Sequence, residues 1–150
     1  MNPPLRDGED SGYIMDSLVR GEVSFLGTDH APHTREEKSV GFAEAPSGVP
    51  SVEHCGGFVS LLVSKGMSLK DAARATSYNA AEFFGLEGKG RVEEGFLADL
   101  VVLDLENQNR VKGPYQTKCG WSPFEGRAFP GRVSYTIRRG RIIAERGRLL

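Results

Sequence analysis

The residues of this chain whose types could do chemistry are concentrated in one short stretch, residues 25–34, with the sequence FLGTDHAPHT. An apolar run over residues 23–27 stops abruptly before Asp29, His30 and His33. A buried strand that ends in titratable side chains is how a barrel enzyme presents catalytic groups at its rim. A carboxylate such as that of Asp29 can bind a metal ion there or carry a proton.

The same residue types also fit an ordinary turn, because Asp beside His and Pro often ends a strand by accepting main-chain hydrogen bonds. The elements around the stretch must therefore be considered. Apolar residues at helical spacing predict a helix over residues 10–20, and the apolar run predicts a strand over residues 23–28. Residues 33–50 are predicted to form a long loop with residues 35–38 exposed, and such loops are usually functional or mobile.

The rest of the chain is predicted to form helices first and strands afterwards. The predicted elements are a helix over 52–65, a helix capped by Ser68, a helix over 80–84 capped by Asn79, a strand over 97–105, and a hairpin of 133–138 and 141–144 around Arg139-Gly140. The Gly56-Gly57 pair either weakens its helix or permits close packing against a neighbour. A cluster of glycines between residues 87 and 95 predicts a domain boundary there.

Four further segments join residues 25–34 in a fixed order. They are Asn2-Pro3-Pro4-Leu5-Arg6, the Pro46-Ser47-Gly48-Val49-Pro50 loop, the stretch from Gly88-Lys89-Gly90 through Ala98-Asp99-Leu100, and Cys119-Gly120-Trp121-Ser122-Pro123-Phe124. In this order the five segments resemble the dihydroorotases of the amidohydrolase superfamily, and the resemblance covers essentially the whole chain.

The resemblance implies an α/β fold. Residues 1–90 are expected to be the C-terminal β/α units of a TIM-barrel metal-dependent hydrolase, and residues 91–150 strands of the adjoining small β-sandwich domain. A whole (β/α)₈ barrel usually needs about 250 residues, and this chain has 150. We therefore expect the C-terminal portion of such a protein, or a truncated gene product.

The resemblance also assigns roles to five residues. Asp29 matches the aspartate that binds a metal ion and transfers the proton during catalysis, His33 matches the residue that holds the substrate's carboxylate, and Asn2, Ser47 and Gly48 match substrate-binding positions. The family carries a binuclear zinc site, whose remaining ligands are a His-x-His pair, a carboxylated lysine and two more histidines. None of these can be placed here, so the 150 residues alone are expected to be inactive.

The parent reaction implied is the reversible cyclisation of N-carbamoyl-L-aspartate to L-dihydroorotate in pyrimidine biosynthesis. One alternative is another cyclic amidohydrolase, a hydantoinase, dihydropyrimidinase or allantoinase. His33 argues against it, because those enzymes do not usually have histidine at this position. A second alternative is a non-catalytic dihydroorotase-like subunit. Expected partners are the small-molecule substrate and either a complementing N-terminal fragment or further copies of the chain.

Composition excludes several other classes of function. The formal net charge is −1, from 19 basic and 20 acidic residues, which argues against nucleic-acid binding. No apolar stretch of about 18 residues predicts a membrane span, and the start has no signal-peptide pattern. Cys55 and Cys119 lack the spacing of a metal or redox pair, and free thiols suit a cytoplasmic protein.

Four further aromatic or imidazole side chains are predicted to be structural. His30 follows Asp29 directly and should point to the opposite face of a strand. His54 lies early in a helix, where a surface or packing role is expected. Trp121 and Phe124 flank Pro123 and are predicted to form an aromatic packing plug between the two domains.

Overall fold

A computed structural model describes all 150 residues. Helices occupy the first part of the chain and strands the second, as expected. The helical elements are α1 Gly8–Val19, α2 Arg35–Lys38, a 3₁₀ turn Val52–His54, α3 Cys55–Ser64, α4 Leu69–Ala73, a π-helical turn Arg74–Tyr78 and α5 Asn79–Phe83. The strands are β1 Leu100–Asp104, β2 Asn109–Arg110, β3 Ala128–Phe129, β4 Arg132–Arg138, β5 Arg141–Glu145 and β6 Arg148–Leu149.

Helix α1 begins earlier than predicted because Asp7 caps it. The Asp7 carboxylate accepts hydrogen bonds from the main-chain N–H groups of Glu9 and Asp10, both at 3.1 Å. This satisfies two donors that the first helical turn leaves unpaired. The inner face of α1 contributes to the main hydrophobic core, whose buried members are Leu18, Leu62, Met67, Ala72 and Ala75.

The prediction of a strand over residues 23–28 was wrong in one respect. These residues form no strand ladder, because no other strand of the chain runs beside them. Other groups satisfy part of their main chain instead. The N–H of Leu26 donates to the Ala75 carbonyl at 2.8 Å, and the Thr28 carbonyl accepts from the Ser51 hydroxyl at 2.7 Å.

The predicted loop over residues 33–50 contains helix α2, which we did not predict. Thr34 and Glu37 form a capping box, in which each side chain bonds the other residue's main-chain N–H. Lys38 was expected to be exposed but is half-buried. Its ammonium donates to the carbonyls of Pro46 and Gly48, at 2.6 and 3.1 Å, so it ties the two ends of the loop together.

The two predicted helices after Ser68 are one continuous helical run. The Ser68 cap is confirmed, since its hydroxyl accepts the Asp71 N–H at 3.1 Å. The Asn79 cap was wrong: Asn79 has helical backbone angles, φ −64° and ψ −35°. Its side-chain amide instead donates to the carbonyl of Ser24 at 2.6 Å. Asn79 therefore fastens the helical run to the segment that leads towards Asp29.

Helix α3 packs against strands β4 and β3 through its two glycines. A Cβ on Gly56 would lie 2.3 Å from Val133, and one on Gly57 would lie 2.7 Å from the ring of Phe129. Of the two roles considered for the Gly56-Gly57 pair, close packing is therefore the one that the structure shows. Because Phe129 is only 1% exposed, there is no room for it to move away.

Strands β1, β4, β5 and β6 form an antiparallel sheet in that order, and β2 pairs with β3. The predicted hairpin is confirmed: β4 and β5 are joined at Arg139 and Gly140, with φ of 48° and 76°, as a two-residue type I′ turn requires. The division at residue 90 stays a prediction. No helix has the length and apolar character needed to cross a bilayer.

Candidate active site

Asp29 has the geometry expected of a functional group. It is one of three non-glycine residues with positive φ, at 45°, and the other two, Arg139 and Arg146, lie in turns beside glycines. Its side chain is exposed and makes no hydrogen bond within the chain. Left-handed backbone is costly for most residues with a Cβ, less so for Asp and Asn, and it occurs at turns and functional sites. The carboxylate is thus free to meet a ligand.

His30 is structural, as predicted. Its Nδ1 accepts the main-chain N–H groups of Ser51 and Val52, at 3.0 and 3.2 Å. A nitrogen that accepts two hydrogen bonds carries no proton, so the imidazole serves to hold residues 51–52 against the candidate site.

His33 is held at both ends of its main chain. Its N–H donates to the Ala31 carbonyl at 3.0 Å, and its own carbonyl accepts the indole N–H of Trp121 at 2.8 Å. The side chain is about one-third exposed, and its Nδ1 lies 3.6 Å from a carboxylate oxygen of Glu37. The other ring nitrogen, Nε2, has no partner within the chain.

The loop that contains Ser47 and Gly48 lies directly against residues 29–33. Gly48 is buried with φ 96°, and a Cβ there would lie 2.3 Å from the Cβ of Ala31. The N–H of Ala31 donates to the Val49 carbonyl at 3.0 Å, next to a parallel bridge between His30 and Val49. The Ser47 side chain is exposed and has no partner. The structure therefore places this loop at the site, with Gly48 packing on protein.

Asn2 lies at the exposed start of the chain, and its side chain makes no hydrogen bond within it. Its neighbours Met1 and Leu5 line a cavity of about 520 Å³ together with Gly27 and Thr28. The N-terminal segment thus runs beside the residues that lead into Asp29, with the Asn2 side chain unbonded.

A second strongly bonded group consists of Glu53, His54 and the segment of residues 115–124. The Glu53 carboxylate accepts the main-chain N–H groups of Gln116 and Thr117 and the Thr117 hydroxyl, at 2.9, 3.1 and 2.9 Å. Burial tends to raise the pKa of Glu53, but these donors and nearby His54 outweigh it, so its pKa lies below the usual value.

His54 also bonds the segment of residues 115–124. Its Nε2 lies 2.7 Å from the hydroxyl of Ser122, which is buried and accepts the N–H of Phe124. Burial lowers the pKa of His54, and Glu53 opposes that shift. Because the Ser122 oxygen already accepts one hydrogen bond, its proton is available to a neutral His54.

The predicted aromatic plug is only partly correct. The ring of Phe124 packs against Phe58 and His54, with centroids 5.2 and 5.3 Å apart, and against Phe129 at 6.4 Å. Trp121 takes no part in that cluster. Its indole N–H is bonded to His33, and the guanidinium of Arg35 lies 5.8 Å from the ring centroid. We did not predict this contact, although an indole N–H away from bulk water generally finds an acceptor.

A cleft of about 470 Å³ separates the two groups. Its lining consists of His30 and Pro32, of Val52 and Glu53 in the 3₁₀ turn, and of residues 116–119. The segments that carry Asp29 and His33 therefore lie beside an open space rather than within a closed core.

The side chains present do not make a zinc site by themselves. No group of three His, Cys, Asp or Glu side chains is placed to share one ion. A catalytic zinc ion usually takes about three protein ligands, and Asp29 supplies one carboxylate.

Comparison with known proteins gives a consistent result. The family model described as the amidohydrolase family matches residues 4–143. The dihydroorotase of Methanothermobacter thermautotrophicus is 41% identical over 99% of this chain and 34% of its own length. The dihydroorotases of Methanosarcina acetivorans and Lactococcus lactis are 39% and 37% identical, each over 95% of this chain. The chain spans about a third of the length of these curated relatives.

Solved structures support the fold. A D-hydantoinase (dihydropyrimidinase) from Thermus sp. superposes on the whole chain with a TM-score of 0.85 and 31% identity, over 34% of that enzyme. An L-hydantoinase from Arthrobacter aurescens gives the same TM-score at 30% identity. These likenesses confirm the expected α/β fold class, a portion of a TIM-barrel hydrolase with its adjoining β strands. The chain belongs to the amidohydrolase family.

Proposed function

We propose that this chain is the C-terminal portion of a dihydroorotase, which interconverts N-carbamoyl-L-aspartate and L-dihydroorotate. The observation that carries the proposal is the arrangement of residues 29–33. An exposed, unpaired carboxylate lies on left-handed backbone at Asp29, and four residues later His33 is fixed with one ring nitrogen free. The dihydroorotases of Methanothermobacter thermautotrophicus and Methanosarcina acetivorans, which are 41% and 39% identical to the chain, support the same reaction.

The two side chains have complementary roles in this proposal. In the ring-opening direction, water adds to a ring carbonyl carbon and the bond from that carbon to the ring nitrogen breaks. The Asp29 carboxylate takes a proton from the attacking water and gives it to the leaving nitrogen. His33 donates a hydrogen bond from Nε2 to the substrate's carboxylate, and Asn2, Ser47 and Gly48 bind the remainder of the substrate.

A hydantoinase is the second candidate, because the two solved structures described above are hydantoinases. Sequence identity favours the dihydroorotase, at 41% with the Methanothermobacter thermautotrophicus enzyme against 31% with the Thermus sp. hydantoinase. A hydantoin ring carries no carboxylate that His33 would need to hold. The two candidates therefore differ in whether His33 has a substrate carboxylate to bind.

The complete site needs groups from outside these 150 residues. We propose that the bound metal is zinc, that Asp29 is one of its ligands, and that the rest of the barrel supplies the others. The exposed apolar side chains support the proposal that further protein packs on this chain. Of the large hydrophobic residues 20 are exposed, whereas only 16 of the 150 residues are buried. We propose that a complementing N-terminal fragment covers part of this surface. Free Cys55 and Cys119 suit the reducing cytoplasm.

A chimera tests the function. The third of the Methanothermobacter thermautotrophicus dihydroorotase that matches this chain is replaced by the 150 residues, and turnover of dihydroorotate and of hydantoin is measured with metal content. We expect stoichiometric zinc, activity on dihydroorotate and little on hydantoin. Asp29→Asn in the same chimera should lose the activity, because an amide cannot carry the proton.

Two outcomes of the chimera experiment would contradict the dihydroorotase proposal. A folded chimera that opens hydantoin in preference would establish the second candidate. A folded, zinc-loaded chimera without any turnover would favour the non-catalytic dihydroorotase-like subunit. The 150 residues alone should bind little zinc and self-associate in sizing chromatography. A zinc-loaded, active monomer would contradict the proposed dependence on other residues.

A further inference from the structure

We infer that Trp121 is a positioning residue for His33 and thereby sets the preference for a substrate that bears a carboxylate. The inference rests on the proposed function, because His33 matters only if it binds that carboxylate. Trp121 does not touch the substrate in this proposal. It fixes the main chain from which the imidazole of His33 projects.

The geometry around His33 leaves one free ring nitrogen. The main-chain N–H donates to Ala31 at 3.0 Å and the carbonyl accepts from Trp121 at 2.8 Å, so both ends of the residue are held. On the following residue, the N–H of Thr34 donates to Glu37 at 2.7 Å. Glu37 also lies 3.6 Å from Nδ1 of His33, which directs Nε2 away from helix α2. Of these contacts, only the one from Trp121 comes from the second part of the chain.

Trp121 is itself anchored, which a positioning residue requires. The adjacent Ser122 is 6% exposed, and its hydroxyl lies 2.7 Å from Nε2 of His54. Glu53 holds Gln116 and Thr117 by three hydrogen bonds. The segment of residues 115–124, called the Trp121 segment below, is therefore attached to the 3₁₀ turn Val52–His54.

The same turn also contacts the candidate site. The N–H of Val52 donates to His30 at 3.2 Å, next to Asp29. The contacts thus form a closed ring that runs from His30 through Val52 and His54 to Ser122, and from Trp121 back to His33. A ring of packed and hydrogen-bonded groups holds a side chain more precisely than one contact does.

The chemistry of the indole explains why tryptophan is needed. Phenylalanine would fill much of the same space, but it has no N–H to donate to the His33 carbonyl. Losing that donor frees the carbonyl and lets residues 33–34 relax. We expect the effect to appear in substrate binding, since neither the Asp29 carboxylate nor its surroundings change.

The test combines kinetics of the chimera with spectroscopy of the full chain. Trp121→Phe is compared with Tyr115→Phe as a matched control. The control also removes one polar hydrogen from an aromatic side chain of the same segment, but the Tyr115 hydroxyl donates to Glu125 and not to His33. Trp121→Phe should raise KM for dihydroorotate about three- to tenfold, with kcat changed less than about twofold. Tyr115→Phe should leave both unchanged.

A double-mutant cycle separates positioning from general stability. If Trp121 acts through His33, adding Trp121→Phe to His33→Ala should cause no further rise in KM. In nuclear magnetic resonance spectra of the full chain, Trp121→Phe should shift the ring nitrogen signals of His33, and Tyr115→Phe should not. Additive effects on KM, or unshifted His33 signals, would overturn the inference.

The proposed function and this inference fail differently. An inactive wild-type chimera would reject the function, and the His33 signals would then decide whether Trp121 positions the ring. An active chimera in which His33→Ala raises KM but Trp121→Phe does not would reject the inference and leave the function intact.

Discussion

Gly48 lies so close to Ala31 that a Cβ added at position 48 would be 2.3 Å from the Ala31 side chain. The contact joins the loop of residues 46–50 to the segment that carries Asp29 and His33. Its backbone is also left-handed, with φ 96°, a conformation that glycine adopts at no steric cost. Gly48 therefore sets how near the loop can approach the candidate site.

We predict that Gly48→Ala pushes this loop away and weakens the two hydrogen bonds from Lys38. Overpacking of this kind costs about 1–3 kcal/mol, so trypsin should cleave after Lys38 roughly ten times faster. Gly41→Ala is the matched control, because position 41 lies in the same loop and a Cβ there has no neighbour within 4 Å. Equal cleavage rates in the two variants would show that the close approach does not hold the loop.

Gly57 and Gly12 both lie in helices, but replacing them with alanine should change the stability of the fold in opposite directions. Gly57→Ala should favour the helix by about 1 kcal/mol, but its Cβ would meet the buried ring of Phe129 at 2.7 Å, and overpacking costs about 1–3 kcal/mol. We predict a net loss of stability, seen as a lower midpoint in urea denaturation. Gly12→Ala in α1, with open space around it, should raise the midpoint. If both variants raise the midpoint, α3 and β3 are not tightly packed.

Sequence predicted the elements whose signals are local. The Ser68 cap and the hairpin at Arg139-Gly140 each depend on a few adjacent residues, and the structure has both. Thr34 followed by Glu37 is also a local signal, because this capping box predicts the start of helix α2. Asp7, which caps α1, is another.

The errors concern partners that are distant in the chain. Asn79 has the right chemistry for a cap, yet its amide bonds Ser24, 55 residues away. Trp121 bonds His33 across 88 residues, and no pattern near either residue indicates the pairing. The run over 23–28 has the composition of a buried strand, but a strand exists only beside another, and composition does not reveal whether one is present.

Because Asp29 has left-handed backbone, two substitutions there should differ in their effect on stability and agree in their effect on activity. Asn tolerates positive φ nearly as well as Asp, whereas Ala does not. We predict that Asp29→Asn leaves the free energy of unfolding unchanged and Asp29→Ala lowers it by about 1 kcal/mol, while both abolish turnover in the chimera. Urea denaturation and the dihydroorotate assay measure the two effects. Equal destabilisation by Asn and Ala would mean that the carboxylate charge, not the backbone, stabilises the segment.

Acid should release the Trp121 segment in two steps, because two groups that hold it titrate in different ranges. The pKa of His54 is lowered from 6.5, so the folded state favours neutral imidazole, and this contribution is lost as pH falls below about 6.5. The pKa of Glu53 is lowered from 4.5, so its contribution is present above that value and lost as pH falls towards the lower folded pKa.

Trp121 is the only tryptophan in the chain, so its fluorescence reports directly on this release. We predict that its emission shifts to longer wavelength as pH falls from 7 to about 3, first below about 6.5 and again below about 4.5. His54→Gln should remove the upper step, because the amide does not titrate, and Glu53→Gln should remove the lower one. Glu125→Gln is the control, since the Glu125 carboxylate accepts a hydrogen bond from Tyr115 and none from His54 or residues 116–117. A single step that persists in both variants would show that neither residue controls the attachment.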